Sequence, residues 1–369
     1  MDHTLPATPK ADGFRMPGEF SAHAGCWMLW PVRPDNWREG GKPAQRTFAA
    51  VADAVSEDEP VTLCVAPEHY LAARSMVSPR VRVVEMTYDD AWMRDCGPTF
   101  VVNAAGELRA VDWRFNAWGG FQGGLYAPWQ RDSLVARKVL DIERVPRYAP
   151  DMVLEGGSIE VDGQGTVITT EQCLLHPNRN PDRSRAQIER HLQDYLGIET
   201  VIWLGEGVYR DETDGHVDNL CRFVAPAEVA LTWTDDTADP QHAVCRDAEA
   251  RLARARDALG RSLKIHRLHQ PGPLYMSEAE AAGVQLAPQS KPRRAGDRLA
   301  GSYVNFYIGN RVVVMPVFSD PHDQAAVDTL AALFPDRRIA AVPGREILLG
   351  GGNIHCITQQ QPRGTPAPG

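Results

Sequence analysis

The sequence contains no long uninterrupted apolar run. Its longest apolar stretches, such as residues 312–318, are far shorter than the ~20 residues that span a bilayer. The first ten residues also lack the basic start and the apolar segment of a secretory signal. We therefore expect no membrane span and a cytoplasmic location.

Cysteine is scarce, and no two cysteines form a C-x-x-C pair. The odd number excludes a simple disulfide framework, and the wide spacing argues against a zinc ribbon. In a reducing compartment most cysteines are small buried apolar residues, so only position can identify a catalytic one. The seven are Cys26, Cys64, Cys96, Cys173, Cys221, Cys245 and Cys356.

An excess of basic residues is also missing, since the formal net charge is −9. Nucleic-acid phosphates demand a basic surface, so the charge argues against a nucleic-acid partner. It mildly favours a cationic small molecule, although ordinary solubility explains it as well.

Short β-branched or apolar runs predict strands. They lie at 61–65, 81–86, 99–102, 167–170, 200–204, 229–233, 263–268 and 311–317. Between them, apolar residues recur at three-to-four spacing in 43–55, 184–196, 240–258 and 323–334, which predicts helices. The fold class is therefore mixed α/β.

The domain organisation follows from composition. Residues 1–14 and 363–369 are rich in polar residues, Pro and Gly and are predicted to be flexible. Between them, 15–362 is predicted to be a single catalytic domain, because no long linker divides it. The polar, Pro-containing stretch 284–298 is predicted to be a surface loop or lid.

Four clusters join tight-turn signals to polar residues that cores seldom bury without partners. Together they supply a thiol, an imidazole and several carboxylates, the general pattern of covalent catalysis. The sequence Gly-Gly-x-Ile occurs twice, at 156–159 and at 351–354, which suggests a structural unit used more than once. The clusters are 91–98, 154–157, 214–219 and 350–356.

His216 and Asp218 are two residues apart. In a strand-like segment both side chains would enter one pocket, while the alternative is a surface pair or half of a metal site. Cys356 follows the glycines 350–352, which allow close ligand approach and predict an exposed thiol at a strand edge. Cys96 competes with it, but strand-like geometry would turn Cys96 away from Asp95.

Three further candidates each have a structural alternative. Asp95 could bind substrate or stabilise a turn, and Trp92 could face a ligand or belong to the core. Glu155 could support catalysis or hold its Gly-Gly loop.

In this order the clusters resemble the agmatine deiminase family of guanidine-modifying enzymes. The resemblance extends through most of the chain. It rests on the segments 16–20, 30–31, 89–95, 116–120, 178–181, 211–219, 302–307 and 354–362.

The resemblance implies a five-bladed α/β propeller, the pentein fold, built from pseudo-repeated ββαβ units around a central active site. The nucleophile of similar enzymes matches Cys356, and the catalytic histidine matches His216. The guanidinium-binding carboxylates match Asp95 and Asp218, and Glu155 matches the acidic residue that supports the histidine or the guanidinium.

The resemblance also implies hydrolysis of agmatine to N-carbamoylputrescine and ammonia, in polyamine synthesis, by a homo-oligomer without a metal or organic cofactor. Asp211, Glu212 and Asp214 are candidates for the ammonium end of agmatine, with Trp92 as a further substrate contact. Loop solvation explains the three acidic residues equally well.

Three rival functions stay open. The first is a deiminase of free or peptidyl arginine, which would need a cationic group for a carboxylate or an open cleft for a chain. A basic run at 291–294 could disfavour a cationic substrate. The second is a binding protein that shares the propeller without the chemistry. The third is a metallohydrolase in which His216 acts with His176, His266 or His269.

Overall fold

The computed structural model describes residues 4–367. Strands in this part of the chain are β1 (His23–Leu29), β2 (Val61–Val65), β3 (Arg82–Glu85), β4 (Thr99–Val102), β5 (Glu107–Val111), β6 (Arg147–Tyr148), β7 (Glu160–Val161), β8 (Thr166–Thr170), β9 (Thr200–Leu204), β10 (Cys221–Ala225), β11 (Glu228–Trp233), β12 (Lys264–His269), β13 (Leu274–Tyr275), β14 (Arg298–Leu299), β15 (Tyr307–Ile308), β16 (Val312–Val317), β17 (Arg338–Pro343), β18 (Thr358–Pro362) and β19 (Thr365–Pro366).

The α-helices are α1 (Lys42–Ser56), α2 (Tyr70–Met76), α3 (Met93–Cys96), α4 (Gly120–Gly123), α5 (Val135–Glu143), α6 (Glu171–Leu174), α7 (Arg185–Leu196), α8 (Gln241–Arg254), α9 (Glu278–Ala282), α10 (Asp323–Leu333) and α11 (Arg345–Leu348). Short 3-10 helices cover Arg38–Gly41, Pro67–His69, Asp132–Leu134, Gly156–Ser158 and Val217–Asn219. The predicted α/β class is confirmed. Within residues 4–367, no helix is long and apolar enough to cross a membrane.

Sequence patterns explain where these elements begin and end. β2 is a fully buried run of Val, Thr, Leu and Cys, a composition that favours strands. In α1, Pro43 lies in the first turn and the buried face includes Phe48, Val51 and Val55. The helix α7 begins with a capping box between Ser184 and Gln187 and ends at Gly197 in the left-handed conformation.

Five sheets in the described chain repeat one arrangement, in which the first strand is antiparallel to the second and the second is parallel to the third. They are β18–β1–β2 with β3 added, β4–β5–β6 with β19 added, β7–β8–β9, β10–β11–β12 and β15–β16–β17. In each repeat a helix joins the second strand to the third, because parallel neighbours need a crossover. Those helices are α1, α5, α7, α8 and α10.

Each sheet has a polar segment immediately before its first strand. Asp95 precedes β4, Glu155 precedes β7, Asp218 precedes β10, Asn305 precedes β15 and Cys356 precedes β18. One position in a repeated unit therefore supplies the side chains of the candidate site.

The described part of the predicted flexible ends makes contacts with the rest of the chain. Phe14 is buried beneath the guanidinium of Arg109, 4.6 Å from the ring centre, and Leu5 donates a backbone hydrogen bond to Arg147. Near the other end, β19 pairs with β5. Residues 1–3 and 368–369 lie outside the described residues, and the flexibility of 1–14 and 363–369 stays a prediction.

Candidate active site

Cys356 lies in the turn 354–357 that leads into β18. Its Sγ lies 3.2 Å from Nδ2 of Asn305, which donates a hydrogen bond, and 3.7 Å from Oδ2 of Asp218. The thiol is only 4% exposed, so the prediction of an exposed thiol at a strand edge is wrong. The glycine run instead permits close packing, since a Cβ on Gly352 would lie 3.0 Å from this sulfur and 2.5 Å from the Trp92 ring.

Three other predicted residues surround the Cα of Gly157. A Cβ on this glycine would lie 2.6 Å from Nδ1 of His216, 2.9 Å from Oδ2 of Asp218 and 3.0 Å from Oδ1 of Asp95. The backbone N–H of Gly157 also donates to Asp95 at 2.9 Å. His216 and Asp218 therefore both face the same glycine.

The local backbone differs from the strand-like geometry assumed for these segments. Asp95 and Cys96 lie in the single-turn helix α3, and His216 precedes the 3-10 helix Val217–Asn219. Cys96 points its Sγ at the carbonyl of Trp92, 3.2 Å away, and takes no part in the site. Tight turns, rather than alternation along a strand, bring the side chains together.

Glu155 lies behind the imidazole of His216, with Oε2 3.5 Å from Nε2. Its other oxygen accepts a hydrogen bond from Nε of Arg179 at 3.0 Å. Arg179 also donates to Oδ2 of Asp214 at 2.5 Å and to the carbonyl of Thr213 at 2.7 Å. Burial raises the pKa of Glu155, but Arg179 and His216 outweigh it and hold the pKa below its ordinary value. Glu155 is therefore an ionised partner for the imidazole.

The buried carboxylates compete for positive charge. Burial, reinforced by Asp218 and Glu155, raises the pKa of Asp95 to about 6 although His216 opposes it. Burial alone would lower the pKa of His216, but Asp95, Cys173 and Glu155 raise it well above its ordinary value. The imidazole is thus the cation of the site, and a second cation would relieve the remaining repulsion.

His355 was missed by the sequence analysis. Its Nδ1 lies 2.7 Å from Oδ2 of Asp218 and its Nε2 lies 2.9 Å from Oε2 of Glu19. Arg94 and Arg222 hold Glu19 in turn, at 3.0 Å and 2.9 Å. Burial raises the pKa of Asp218, but the contact with His355 brings it below the ordinary value.

Other residues without an assigned role also shape the site, namely Glu19, Arg179, Asn305 and His355. All four lie inside sequence segments that carry the family resemblance. The family segments therefore indicated that these positions matter. A motif alone does not indicate which of its residues face the site. For His355, the signal was its position beside the nucleophile.

An aromatic wall borders the thiol. The ring of Trp92 stacks on Trp37 at 5.1 Å and meets Trp118 edge-on at 6.2 Å. The Nε1 of Trp92 donates to Asp90 at 2.9 Å, and the Nε1 of Trp118 donates to Asp95 at 2.9 Å. Trp92 is buried in the core and its ring lies beside Gly352, whereas its contact with a ligand stays a prediction.

Asp211 and Asp214 are bonded within their own loop or to a neighbour. Asp211 accepts hydrogen bonds from the backbone and hydroxyl of Thr213, at 2.9 Å and 2.8 Å, and from Asn219 at 3.1 Å. Asp214 accepts from Arg179. Their observed contacts organise the loop that carries His216.

Glu212 meets the predicted loop 284–298. It forms ion pairs with Arg293 and with Lys291, the latter at 3.2 Å. Arg293 also donates to the carbonyl of Gly350 at 2.7 Å. Burial raises the pKa of Glu212, but the two cations more than offset it and hold the pKa below its ordinary value. The basic run therefore packs against the glycines that precede the nucleophile.

The histidines proposed for a metallohydrolase do not join His216. His266 pairs with Glu228 at 2.8 Å, and His269 lies 3.4 Å from Asp235. Among residues 4–367, one group of side chains offers three ligand atoms within 4.8 Å of one another, and it omits His176, His266 and His269. Its members are Glu155, Cys173 and His216.

Comparison with known proteins agrees with this geometry. Residues 15–362 match the family described as Porphyromonas-type peptidyl-arginine deiminase. The chain is 59% identical over 361 residues to an agmatine deiminase of Ectopseudomonas mendocina, covering 97% of this chain and 98% of that protein. It is 58% identical over 358 residues to one from Pseudomonas aeruginosa, covering 96% and 97%.

A solved structure of the agmatine deiminase of Enterococcus faecalis superposes with a TM-score of 0.96 at 47% identity. The match covers 98% of this chain and 100% of that chain. The family resemblance inferred from the motifs is confirmed, and the chain is an enzyme of the deiminase type. It belongs to the Porphyromonas-type peptidyl-arginine deiminase family and, within that family, to the agmatine deiminases.

Proposed function

We propose that the chain hydrolyses agmatine to N-carbamoylputrescine and ammonia through a covalent Cys356-amidino intermediate. The observation that carries the proposal is the convergence of two buried carboxylates and an imidazole beside Gly157, next to a buried thiol. A planar guanidinium suits this space, because Asp95 and Asp218 can accept charge-assisted hydrogen bonds from its edges. The names of the relatives at 58–59% identity support agmatine as the substrate.

In the first half-reaction the Cys356 thiolate attacks the guanidinium carbon and a C–S bond forms. His216, as imidazolium, gives its proton to the departing nitrogen because amide ion is a very poor leaving group. The C–N bond then breaks and ammonia leaves. The amidino group remains on the sulfur.

In the second half-reaction a water attacks the amidino carbon. His216, now neutral, accepts a proton from that water, and the C–S bond breaks. The remaining hydroxyl proton passes to the departing sulfur, so the products are the ureido compound and the free thiol. The position of Glu155, 3.5 Å from the imidazole, suits a residue that stabilises the imidazolium in both halves.

Activation of the thiol depends on the bound cation. Burial, together with Asp218 and Asp95, raises the pKa of Cys356 well above its ordinary value, so the empty site favours the neutral thiol. A guanidinium between the carboxylates would offset their charge and favour the thiolate. Thiolate absorbance of the protein, corrected with Cys356→Ala, should rise when a guanidine ligand binds. Equal absorbance with and without the ligand, and in His216→Gln, would contradict this account.

A deiminase of free or peptidyl arginine is the alternative, and the description of the family names peptidyl-arginine. Burial argues for a small substrate, because Cys356 is 4% exposed and Asp218 is 0% exposed. A peptide would need an open cleft at this position. For the ammonium end of agmatine we retain Glu212 and Trp92 as substrate contacts, with Asp211 and Asp214 as supports of the loop.

The experiment measures ammonia and ureido product from agmatine, free arginine and a blocked arginine peptide. The wild type should prefer agmatine, and Cys356→Ala should make no ureido product. Cys64→Ala, a change at another buried cysteine, is the matched control and should stay active. A preference for arginine would show that arginine, and not agmatine, is the substrate. An undiminished rate in Cys356→Ala would overturn the mechanism.

The arrangement of the sheets supports the prediction of a five-bladed propeller. We infer that the five repeated sheets are the blades of a pentein propeller, since each contributes to the site from the same place before its first strand. Closure would place those five segments around one axis. A homo-oligomeric state, a cytoplasmic location and a role in putrescine supply complete the proposal.

A further inference from the structure

Cys173 faces the back of the catalytic imidazole, whose pKa it helps to raise, but it takes no direct step in the mechanism above. It lies in α6, whose start is capped by Oγ1 of Thr170, 3.2 Å from the Cys173 backbone nitrogen. Its thiol is completely buried. The Sγ of Cys173, a carboxylate oxygen of Glu155 and a ring nitrogen of His216 lie within 4.8 Å of one another.

Two of these groups carry polar atoms without a hydrogen-bond partner among the described residues. They are Oε2 of Glu155 and Nε2 of His216, which face each other at 3.5 Å. Both residues are at most 1% exposed, and at 3.5 Å their ion pair is longer than an ordinary hydrogen bond. Since Arg179 occupies only the other oxygen of Glu155, Oε2 remains available as a ligand.

The donor set selects a kind of cation. Thiolate sulfur and imidazole nitrogen favour Zn²⁺ and similar metals over Mg²⁺ or Ca²⁺, and a carboxylate oxygen is a common third ligand of Zn²⁺.

We propose that Glu155, Cys173 and His216 form an inhibitory site for Zn²⁺ or a similar soft divalent cation. Binding forms bonds from the metal to Sγ, Oε2 and Nε2, and the protons on the thiol and on that nitrogen go to solvent. His216 then cannot act as the imidazolium that protonates the leaving nitrogen. This inhibitory consequence rests on the proposed function, whereas the binding itself does not.

The direct test uses Cd²⁺, because a cadmium–thiolate bond has an ultraviolet charge-transfer band. The titration is made on Cys356→Ala, which lacks the nucleophile and therefore reports only other thiols. We expect one Cd²⁺ per chain with the band present. Adding Cys173→Ser, which nearly keeps the side-chain volume, should weaken Cd²⁺ binding by at least about tenfold. Removing a residue that only hydrogen-bonds to a metal ligand already costs about this much in metal affinity.

The matched control adds Cys245→Ser instead, another fully buried cysteine, and should leave binding unchanged. Circular dichroism and thermal melts verify that each variant is folded. If the single variant Cys356→Ala shows no band, the metal binds the nucleophile instead. If the band persists when Cys173→Ser is added to Cys356→Ala, the Cys173 thiol is not a ligand of the metal. Either result overturns the proposal without affecting the deimination hypothesis.

The activity arm uses agmatine and Zn²⁺. Wild-type turnover should be inhibited, chelation should restore it, and Cys173→Ser should need at least about tenfold more Zn²⁺ for the same inhibition. Equal sensitivity of the two proteins would also overturn the proposal. Absence of turnover in the metal-free wild type would instead count against the proposed function.

Discussion

Gly157→Ala should disable the site while adding only one methyl group. The new Cβ would lie 2.6 Å from Nδ1 of His216, whereas ordinary contacts begin at 3.4 Å. The imidazole or the glycine must therefore move by about 0.8 Å, the difference between those distances. A misplacement near 1 Å costs about a hundredfold in rate, equivalent to about 2.7 kcal/mol in the barrier. The methyl group would also intrude where Asp95 and Asp218 are proposed to hold the guanidinium.

The assay is steady-state formation of ureido product from agmatine, where kcat/KM should fall about a hundredfold. Urea denaturation should show a loss of about 1–3 kcal/mol, the usual effect of overpacking, with the variant still folded. The matched control is Gly272→Ala, whose Cβ would meet only Asp320, at 3.2 Å, and should keep its activity. Near-normal activity of folded Gly157→Ala would refute the placement of the guanidinium between these groups.

Three further predictions concern charged partners. Arg179→Met should leave Glu155 as an unpaired buried charge and lower the free energy of unfolding by about 3–5 kcal/mol in urea denaturation. Since the pKa of Asp95 is raised to about 6, guanidine binding to Cys356→Ala should weaken as pH falls through 6. In the free protein, Asp95 stabilises the fold fully at pH values below its ordinary pKa, and this stabilisation is lost as pH rises through 6. Calorimetric titration against pH measures the first effect, and Asp95→Asn should remove that step. His355→Gln should lower kcat/KM by about tenfold to a hundredfold, the value of one or more hydrogen bonds to a charged group.

Controls separate these effects from general damage. For Arg179, the control is Arg114→Met, whose partner is highly exposed, so stability should hardly change. For His355, the control is His322→Gln on the surface, which should keep normal kinetics. Equal stability of the two arginine variants would contradict the buried-pair argument. An unchanged KM and pH profile in His355→Gln would limit that residue to structural support.

Much of the fold could be predicted from the chain because its central strands are continuous β-branched runs. The predicted segments 61–65, 99–102 and 200–204 coincide with β2, β4 and β9, and the four predicted helices match α1, α7, α8 and α10 closely. Strands of two residues, such as β7 and β15, were missed, because distant pairing defines them rather than local composition. Longer strands were missed as well, namely β1, β5, β10, β17 and β18.

In the site, residue types were easier to predict than local geometry. Asp95, Glu155, His216, Asp218 and Cys356 come together, yet on short helical turns instead of strands. A turn of three or four residues has too little periodicity to be recognised.

The pairing of Glu212 with Arg293 joins residues 81 positions apart. No local pattern links these two positions, since folding alone brings the loop 284–298 against the glycines before Cys356. Burial of that thiol was missed for the same reason. A glycine run indicates that another group approaches the backbone closely. It does not indicate whether that group is solvent, ligand or protein.

The pairing of His355 with Glu19 joins positions 336 residues apart, and β18 closes against β1. During synthesis, Asp95, Glu155 and His216 therefore emerge from the ribosome long before the nucleophile. Contacts so distant in sequence also form late, since loop closure must precede them. A nascent or prematurely terminated chain consequently carries most of the substrate-binding groups but no reactive thiol. The proposed catalysis therefore depends on the pairing of β18 with β1.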